Sequence, residues 1–230
     1  MGYTSAQAKE FIARIAPIIR AEATARGYVI CSTVIAQAIV EGAAGTSSLA
    51  RKYHNHFGMK CGKSWKGKSV NLSTKEEYTP GTLTTIKDNF RVYDSDEEGV
   101  KGYYDFISSS RYANLKTAQN YSQYAGRIKM DGWATSNSYY NTLISTVKKY
   151  NLEMWDTVYS VSPVSSEYYG KFTGITNSIV MALGAVGETD TSKEHRSKIA
   201  KANGIPNYSG TAEQNTKLLS LLKQGKLLKS

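Results

Sequence analysis

The chain has 230 residues, 40% of them hydrophobic and 21% charged, a balance typical of a globular protein with a hydrophobic core in one or two domains. No run of about 18 apolar residues occurs, which excludes a transmembrane helix. The formal net charge of +10 is spread along the chain, which argues against a nucleic-acid-binding arm and suits contact with a polyanion, either a nucleic acid or the teichoic-acid-bearing wall of Gram-positive bacteria.

The N-terminus and the cysteines bear on where the protein acts. The first residues have neither the basic nor the apolar region of a secretory signal peptide, so we expect such a peptide to be absent or already removed. The only two cysteines, Cys31 and Cys61, do not make a disulfide framework and are expected to be free thiols. Tyrosine supplies 17 of the 25 aromatic residues, which suits either a surface that stacks on sugars or bases or a tyrosine-rich core.

The N-terminal region predicts two helices. The first spans 5–26, with a capping box at residues 4–7, apolar residues at helical spacing, a kink at Pro17 and an end at Gly27. The second spans 32–44, with Ser32 or Thr33 as N-cap and an inward face that is strongly apolar. Cys31, next to this face, is expected to be a core residue.

The pattern changes between residues 51 and 93, where glycine is frequent and β-favouring residues occur in short runs. These runs lie at 69–72, 83–86 and 90–93, and Pro80-Gly81 marks a turn between them. We therefore predict a small antiparallel β lobe inserted between helices.

Helical patterns return after the β lobe. A capping box at 95–98 begins one helix, and further helices are predicted at 112–119, 121–129 and 137–150. Residues 156–167 are serine-rich without helical periodicity and predict a linker, while 176–230 is helical again. The predicted organisation is an α+β domain over 1–155, the linker over 156–167, and a small all-α domain over 168–230.

Glu41 is the first candidate for chemistry, because it lies at the end of an apolar helix and is followed by Gly-Ala-Ala-Gly. Desolvation would raise the pKa of its carboxyl, as a general acid requires at neutral pH. The small residues after it leave room for a large ligand. The alternative is that Glu41 lies at an ordinary exposed helix end.

The predicted β lobe carries a second acidic candidate, Glu76, beside Glu77. An acid on a helix end and an acid on a facing hairpin can bracket a cleft, as hydrolysis of a glycosidic bond requires. Taken alone, a pair of glutamates at a strand end more often lies on a solvent-exposed face without a catalytic role. Their spacing in the sequence does not distinguish an inverting from a retaining reaction.

Other catalytic classes have weaker support. His54, His56 and Cys61 lie close together, but their spacing matches no closed zinc site, and we predict that no metal is bound there. Phe57-Gly58 is better explained as a tight turn with a buried aromatic ring. A thiol–histidine pair is disfavoured because Cys61 lies too near these histidines in the sequence. Nucleophile-elbow, phosphate-loop and dinucleotide motifs are missing from the sequence.

Several segments, in order, resemble glycoside hydrolase family 73, the bacterial and phage β-N-acetylglucosaminidases that cleave peptidoglycan. The resemblance covers residues 5–155. The matching segments are AQAIVE at 36–41, GTS at 45–47, NHFGMK at 55–60, GKSV at 67–70, TKE at 74–76, FRVY at 90–93, RY at 111–112 and DGWAT at 131–135, followed by Tyr139.

The resemblance implies roles for particular residues. Glu41 would be the general acid and Glu76 the second carboxylate, with Glu77 as the neighbour that could be mistaken for it. Trp133 occupies the usual tyrosine position of the family and would line the saccharide cleft together with Tyr139. Gln37, Asn55 and Phe57 would also bind substrate.

Two departures from the family pattern affect the cleft. The usual Glu-Ser-Gly-Trp-Gly is here EGAAG at 41–45, which removes an aromatic residue from the cleft wall, and the late Thr-Asp is Thr135-Ser136. Because the second carboxylate is less uniformly essential in the family than the first, a route assisted by the N-acetyl group of the substrate stays open.

Residues 197–227 are similar to a C-terminal module of Gram-positive phage endolysins and amidases that is taken to bind the cell wall. A helical cap without ligand is the alternative.

The resemblance therefore implies a lysozyme-like α+β hydrolase domain with a small β lobe, followed by a wall-targeting helical domain. Such a protein would hydrolyse the β-1,4 bond between N-acetylglucosamine and N-acetylmuramic acid in Gram-positive peptidoglycan, without cofactor or metal. It would be made in the host cytoplasm and act on the wall after release. A secondary wall polymer is a further possible partner, whereas nucleic acid and membrane insertion are not expected. The alternatives are a muramidase or lytic transglycosylase on the same fold, or an inactive wall-binding or nucleic-acid-binding protein.

Overall fold

The computed structural model describes residues 2–79, 82–157 and 167–230, and the side chains of these residues except 75–79 and 82–84. Within these ranges, no helix is both long enough and apolar enough to span a bilayer. The helices and the two strands, in chain order, are α1 Ser5–Ala25, α2 Ser32–Glu41, α3 Ser48–Tyr53, β1 Ser69–Thr79, β2 Thr82–Arg91, α4 Asp96–Ile107, α5 Tyr121–Met130, α6 Tyr139–Tyr150, α7 Ile179–Ala185, α8 Lys193–Ala202 and α9 Ala212–Gln224.

Helix α1 forms as its local sequence predicts. The Thr4 hydroxyl accepts from the Gln7 amide and the Gln7 side chain accepts from the Thr4 amide, which completes the expected capping box. The chain leaves the helix at Gly27, which has a φ of 74°. The predicted stripe packs into the core at Phe11, Ile15 and Ile19.

Helix α2 lies in the middle of the core, and its ends differ from the prediction. Neither Ser32 nor Thr33 is the N-cap; the carboxylate of Asp156 instead accepts from the amides of Cys31 and Ser32, both at 2.7 Å, and from the Ser32 hydroxyl at 2.7 Å. The helix ends at Glu41 rather than at residue 44. Asp156 was predicted to begin the linker, but these bonds attach it firmly to α2.

The predicted β lobe is an antiparallel hairpin of β1 and β2, with a register that runs from Ser69 opposite Arg91 to Glu76 opposite Thr84. The short helix α3 before it was not predicted. Asn55 joins the loop after α3 to the base of the hairpin, because its side-chain amide donates to the carbonyls of Met59 and Arg91 at 2.9 and 2.8 Å. The predicted turn at 80–81 lies outside the described residues.

The helices after the hairpin confirm the prediction, except that the segment Ser110–Thr117 is a 3-10 helix. Helices α1, α2, α4, α5 and α6 enclose one hydrophobic core that is rich in buried tyrosine. Cys31 is buried in this core as expected, and both cysteines are free. Four tyrosines are among the largest fully buried side chains: Tyr103, Tyr104, Tyr124 and Tyr140. The tyrosine-rich core is therefore the correct explanation for much of the tyrosine content.

The C-terminal region forms a second hydrophobic core from α7, α8, α9 and the segment around Tyr169. Helix α7 belongs to both cores: Met181 packs into the first, and Ile179, Ala182 and Leu183 into the second. Most of the predicted linker, residues 158–166, lies outside the described part of the chain. The division of the chain into a linker and two domains therefore stays a prediction.

Helix α7 packs across α5 at a position without a side chain. A Cβ on Gly126 would lie 2.8 Å from the backbone nitrogen of Ala185, so glycine permits the close approach of the two helices. Beside this crossing, the Asn120 side chain donates to the Gly187 carbonyl at 3.0 Å, and the Ser122 hydroxyl donates to the Glu188 carbonyl. The two regions are thus joined by packing as well as by the chain.

Candidate active site

The carboxyl of Glu41, the last residue of α2, is the centre of the candidate site. Its Oε1 accepts two hydrogen bonds, from the Tyr139 hydroxyl at 2.7 Å and from the Trp133 indole nitrogen at 3.2 Å. Among the described residues, none donates to or accepts from Oε2 within hydrogen-bond distance. A proton on this carboxyl is therefore held by Oε2, since Oε1 is already occupied by two donors.

The surroundings of Glu41 raise the pKa of its carboxyl above the ordinary value, because burial penalises the charged form. The hydrogen bonds from Tyr139 and Trp133 act in the opposite direction and stabilise the carboxylate. Burial dominates, as the sequence analysis expected for an acid at the end of an apolar helix. A raised pKa is what a general acid needs, and the two donors also prepare the site for the charge left after proton transfer.

Trp133 is held in place by edge-on contacts with other aromatic rings. Its ring centroid lies 5.3 Å from that of Tyr103, 5.8 Å from that of Phe106 and 6.5 Å from that of Tyr112. Aromatic pairs favour such tilted arrangements. The half-buried indole therefore directs its N–H at Glu41 from a fixed position.

Tyr139 is the first residue of α6, and Gln37 lies one turn before Glu41 on α2. The Gln37 side-chain nitrogen donates to the Tyr139 oxygen at 3.2 Å, and the Gln37 oxygen accepts from the Tyr103 hydroxyl at 2.7 Å. Gln37 is fully buried. It was predicted to bind substrate, but the structure places it beneath the surface, where it contacts Tyr139 instead.

Asn55 and Phe57 are also buried, with 1% and 3% of their surfaces exposed. Asn55 fastens the hairpin, as described above, and the Phe57 ring stacks on Tyr103 with 4.2 Å between centroids. The turn at Phe57-Gly58 was predicted correctly, with a φ of 63° at Gly58. In this structure the side chains of Asn55 and Phe57 support the site from behind and do not line its surface, in contrast to the predicted substrate contact.

The second acidic candidate lies on strand β1. Glu76 is paired in register with Thr84, and Glu77 with Leu83, towards the tip of the hairpin. The side chains of both glutamates lie outside the described part of the chain. The choice between Glu76 and Glu77 as second carboxylate therefore stays a prediction.

The segment that follows Glu41 has an unusual backbone. Ala43, Ala44 and Gly45 have consecutive left-handed φ angles of 49°, 51° and 75°. This conformation costs an L-residue other than glycine about 1–2 kcal/mol. Ala44, at the position where the resemblance expects tryptophan, is buried, so strained backbone rather than an aromatic ring follows Glu41.

Replacing Ala43 by glycine is expected to stabilise the chain. The change relieves left-handed strain at a half-buried position and is partly offset by the greater freedom of glycine in the unfolded chain, leaving a gain of about 0.5–1 kcal/mol. Chemical denaturation followed by circular dichroism measures it. The control is Ala13→Gly, at an exposed position inside α1, where the same change should destabilise. A loss of stability in Ala43→Gly would contradict the assignment of strain.

Two histidines near the site share one carboxylate. Nδ1 of His54 and Nε2 of His56 lie 2.7 and 2.8 Å from Oδ1 of Asp96, and the guanidinium of Arg14 binds Oδ2. Sequence spacing drew attention to the histidines but not to Asp96, which is 40 residues further along. Burial, then Arg14 and His54, lower the pKa of His56 to about 3, so His56 is a neutral donor that ties the loop to α4.

This chain is similar to a known protein family and to several of its members. A family model described as mannosyl-glycoprotein endo-beta-N-acetylglucosaminidase matches residues 16–152, which is more than half of the chain. Exo-glucosaminidase LytG of Bacillus subtilis is 32% identical over 137 residues, covering 57% of this chain and 48% of LytG. Peptidoglycan hydrolase FlgJ of Salmonella typhimurium is 31% identical over 150 residues, covering 63% of this chain and 47% of FlgJ. The chain thus spans about half the length of these curated relatives.

Solved structures show the same fold. The catalytic domain of the autolysin Auto from Listeria monocytogenes superimposes with a TM-score of 0.57 at 26% identity, covering 68% of this chain and 91% of that domain. A peptidoglycan hydrolase from Sphingomonas sp. A1 gives a TM-score of 0.55 at 28% identity, covering 64% and 96%. The predicted lysozyme-like α+β fold class is confirmed. By its match to the family model, the chain belongs to the glucosaminidase family, glycoside hydrolase family 73.

Proposed function

We propose that this chain hydrolyses the β-1,4 bond on the reducing side of N-acetylglucosamine in bacterial peptidoglycan. The observation that carries the proposal is the carboxyl of Glu41, whose pKa is raised and whose Oε1 is held by Tyr139 and Trp133. These residues occupy the positions that the family resemblance assigned to the acid and to the cleft. Relatives named for glucosaminidase or peptidoglycan hydrolase activity support the same reaction.

The geometry suggests how the first step proceeds. Glu41 gives the proton on Oε2 to the leaving oxygen, and the glycosidic bond breaks with an oxocarbenium-like transition state. The new carboxylate is stabilised by the two donors already in place at Oε1. A water molecule then attacks the anomeric carbon, assisted by Glu76 or by the acetamido group of the substrate.

The assignment of the second carboxylate has its own test. If Glu76 assists the water, Glu76→Gln should lower the hydrolysis rate by about 100-fold, whereas Glu77→Gln, at the neighbouring position of the same strand, should change it little. Release of reducing ends from purified walls measures both rates. A Glu76→Gln variant with the parent rate would overturn the assignment and favour the acetamido route.

A second candidate reaction is cleavage of the other glycosidic bond. Three matched relatives, all from Lactococcus lactis, carry the name probable N-acetylmuramidase, at 33% or 34% identity. Mass spectrometry of digested walls separates the possibilities. Products with reducing N-acetylglucosamine support the proposed reaction, whereas reducing muramic acid or an anhydro product would show a muramidase or a lytic transglycosylase.

The pH dependence of the reaction should respond to Tyr139. Tyr139→Phe removes a donor that stabilises the Glu41 carboxylate, so the pKa of Glu41 rises further and the acid stays protonated to higher pH. The alkaline limb of the profile of kcat/KM is expected to move up by about one pH unit.

A matched control is Tyr140→Phe, because the Tyr140 hydroxyl bonds to Ser122 at 2.7 Å and not to Glu41. Its alkaline limb should stay where the parent has it. A downward shift in Tyr139→Phe, or an equal shift in both variants, would contradict the role of the Tyr139 hydroxyl.

We also propose that the C-terminal region, residues 168–230, targets the enzyme to Gram-positive walls, as in a phage endolysin acting after release from the host cytoplasm. The endolysin part of this proposal is supported by a short match to an endolysin of Listeria phage A511, 61% identical over 36 residues and covering 16% of this chain and 11% of that protein. The region carries nine Lys and Arg residues against four Asp and Glu, which suits an anionic wall polymer.

Binding should therefore be tested on the whole chain, in a Glu41→Gln background that prevents lysis. Lys198 and Lys201 flank a groove of about 410 Å³ that also contains Tyr208, and reversing both charges should reduce co-sedimentation with purified walls. Reversing two basic residues of α1, Lys9 and Arg20, is the control. If both double variants bind like the parent, the targeting proposal loses its support.

A further inference from the structure

A continuous chain of hydrogen bonds runs inward from the carboxyl of Glu41 through buried side chains. Tyr139 contacts Glu41 at 2.7 Å, Gln37 contacts Tyr139 at 3.2 Å, Tyr103 contacts Gln37 at 2.7 Å, and the hydroxyls of Tyr103 and Tyr124 are 3.1 Å apart. Gln37, Tyr103 and Tyr124 have no exposed surface. Water therefore does not reach these groups to compete for their hydrogen bonds.

The chemistry of the groups gives the chain a single direction. A phenol has one proton to donate, and an amide nitrogen donates but does not accept. Because the Gln37 nitrogen faces Tyr139, the Tyr139 oxygen accepts there and its one proton is directed to Glu41. The proton of Tyr103 is likewise used on the Gln37 oxygen, so Tyr124 donates to Tyr103.

Gln37 and Tyr103 thus control which way the Tyr139 hydroxyl points. If the Gln37 amide were turned over, its oxygen would face Tyr139 and compete with Glu41 for the same proton. Tyr103 opposes this, because its hydroxyl donates to the Gln37 oxygen at 2.7 Å, and a turned amide would take that acceptor away from a fully buried proton.

We propose that Gln37 and Tyr103 are positioning residues that force Tyr139 to donate its proton to Glu41. The inference deepens the proposed function and rests on it for the catalytic role of Glu41. Gln37 does not touch substrate in this arrangement; it acts on the reaction through Tyr139.

Few groups outside this chain of hydrogen bonds affect the pKa of the Glu41 carboxyl. Among the described residues, the side chains that act on its carboxyl are the Tyr139 hydroxyl of α6 and the Trp133 indole of the loop before it. The electrostatic interactions of Tyr139 with Glu41 and Tyr124 in turn raise the pKa of the Tyr139 hydroxyl, which burial already raises. Burial keeps the pKa of Tyr103 and Tyr124 well above 10, so these phenols stay protonated wherever Glu41 titrates.

The test compares two substitutions of the same kind. Tyr103→Phe removes the donor that fixes the Gln37 amide while keeping the ring that stacks on Phe57. When Glu41 is neutral, the amide can then turn and take the Tyr139 proton, which favours the neutral acid. Tyr124→Phe also removes a buried hydroxyl but leaves Tyr103 donating to Gln37, so the direction of the chain is kept.

The expected result is a titration of Glu41 that shifts upward by a few tenths of a pH unit in Tyr103→Phe, in the direction of Tyr139→Phe, and does not shift in Tyr124→Phe. The chemical shift of the Glu41 carboxyl carbon, followed by NMR against pH, measures this without substrate. The alkaline limb of kcat/KM should move in parallel.

Equal titrations in the parent, Tyr103→Phe and Tyr124→Phe would overturn the positioning role, as would equal shifts in both variants. Thermal unfolding shows whether either variant is merely less stable, which by itself does not move the titration of Glu41 in the folded chain. Since the NMR titration needs no wall substrate, it separates failure of this inference from failure of the proposed hydrolysis. A shifted titration with no hydrolysis would count against the proposed function and not against the positioning role of Gln37 and Tyr103.

Discussion

Glu41→Gln is expected to lower the rate of peptidoglycan hydrolysis at least about 100-fold, the usual scale of a general acid. The amide has nearly the shape of the carboxyl, and its oxygen can still accept from Tyr139 and Trp133. What is lost is the proton on Oε2 that the leaving oxygen requires. Loss of turbidity of wall suspensions and release of reducing ends both measure the change.

The same variant should not be less stable than the parent. Burial raises the pKa of Glu41 in the folded chain, so the folded state binds this proton more tightly than the unfolded state, and stability falls as pH rises from the unfolded pKa through the folded one. At neutral pH the amide removes that loss, and unfolding should occur at the same or a higher temperature.

The control for activity is Glu10→Gln, at an exposed position of α1. It should clear walls at the parent rate. Unchanged clearing by Glu41→Gln would instead show that Glu41 is not the acid, and an equally folded but inactive Glu10→Gln would show that the assay is reporting something other than the site.

Asp156→Ala is expected to reduce the free energy of unfolding by about 2–4 kcal/mol, the largest effect on stability among the substitutions proposed. The carboxylate accepts three hydrogen bonds of 2.7 Å, from the amides of Cys31 and Ser32 and from the Ser32 hydroxyl. Bonds to a charged acceptor contribute more than neutral ones, and their loss leaves buried donors at the start of α2 unsatisfied.

Urea unfolding followed by tryptophan fluorescence measures this effect. Asp105→Ala is the matched control, because Asp105 binds Arg26 at 2.7 Å with more than half of its side chain exposed, and an exposed ion pair contributes at most about 1 kcal/mol. If the two alanine variants were equally stable, the Asp156 carboxylate would not be the cap that holds α2.

The contrast between the N-terminal caps of α1 and α2 shows what the sequence could predict. The cap of α1 was predictable because Thr4 and Gln7 are three residues apart and satisfy each other locally. The cap of α2 comes from Asp156, 124 residues away from Ser32, and no local pattern distinguishes that aspartate from its neighbours.

The candidate site divides in the same way. Burial at an apolar helix end was enough to single out Glu41, but its partners Trp133 and Tyr139 lie 92 and 98 residues further on and were identified only through the family resemblance. That resemblance predicted Gln37 as a substrate-binding residue, and in the structure its side chain is fully buried against Tyr139 and Tyr103. A motif preserves spacing along a helix, whereas exposure depends on what packs over that helix. Tyr103, which completes the chain behind Gln37, gave no signal in the sequence beyond its place on an apolar helix face.

The crossing of α5 and α7 at Gly126 limits how the C-terminal region of this chain could be transferred to another protein by engineering. Because α7 contributes side chains to both cores, a fusion that carries the C-terminal region to another hydrolase would expose the face that now contacts α5. A graft that keeps α5 together with α7 preserves this contact, and a single calorimetric transition in the parent would show that the two cores melt as one cooperative unit. The C-terminal region would then keep a fixed orientation relative to the domain that carries Glu41.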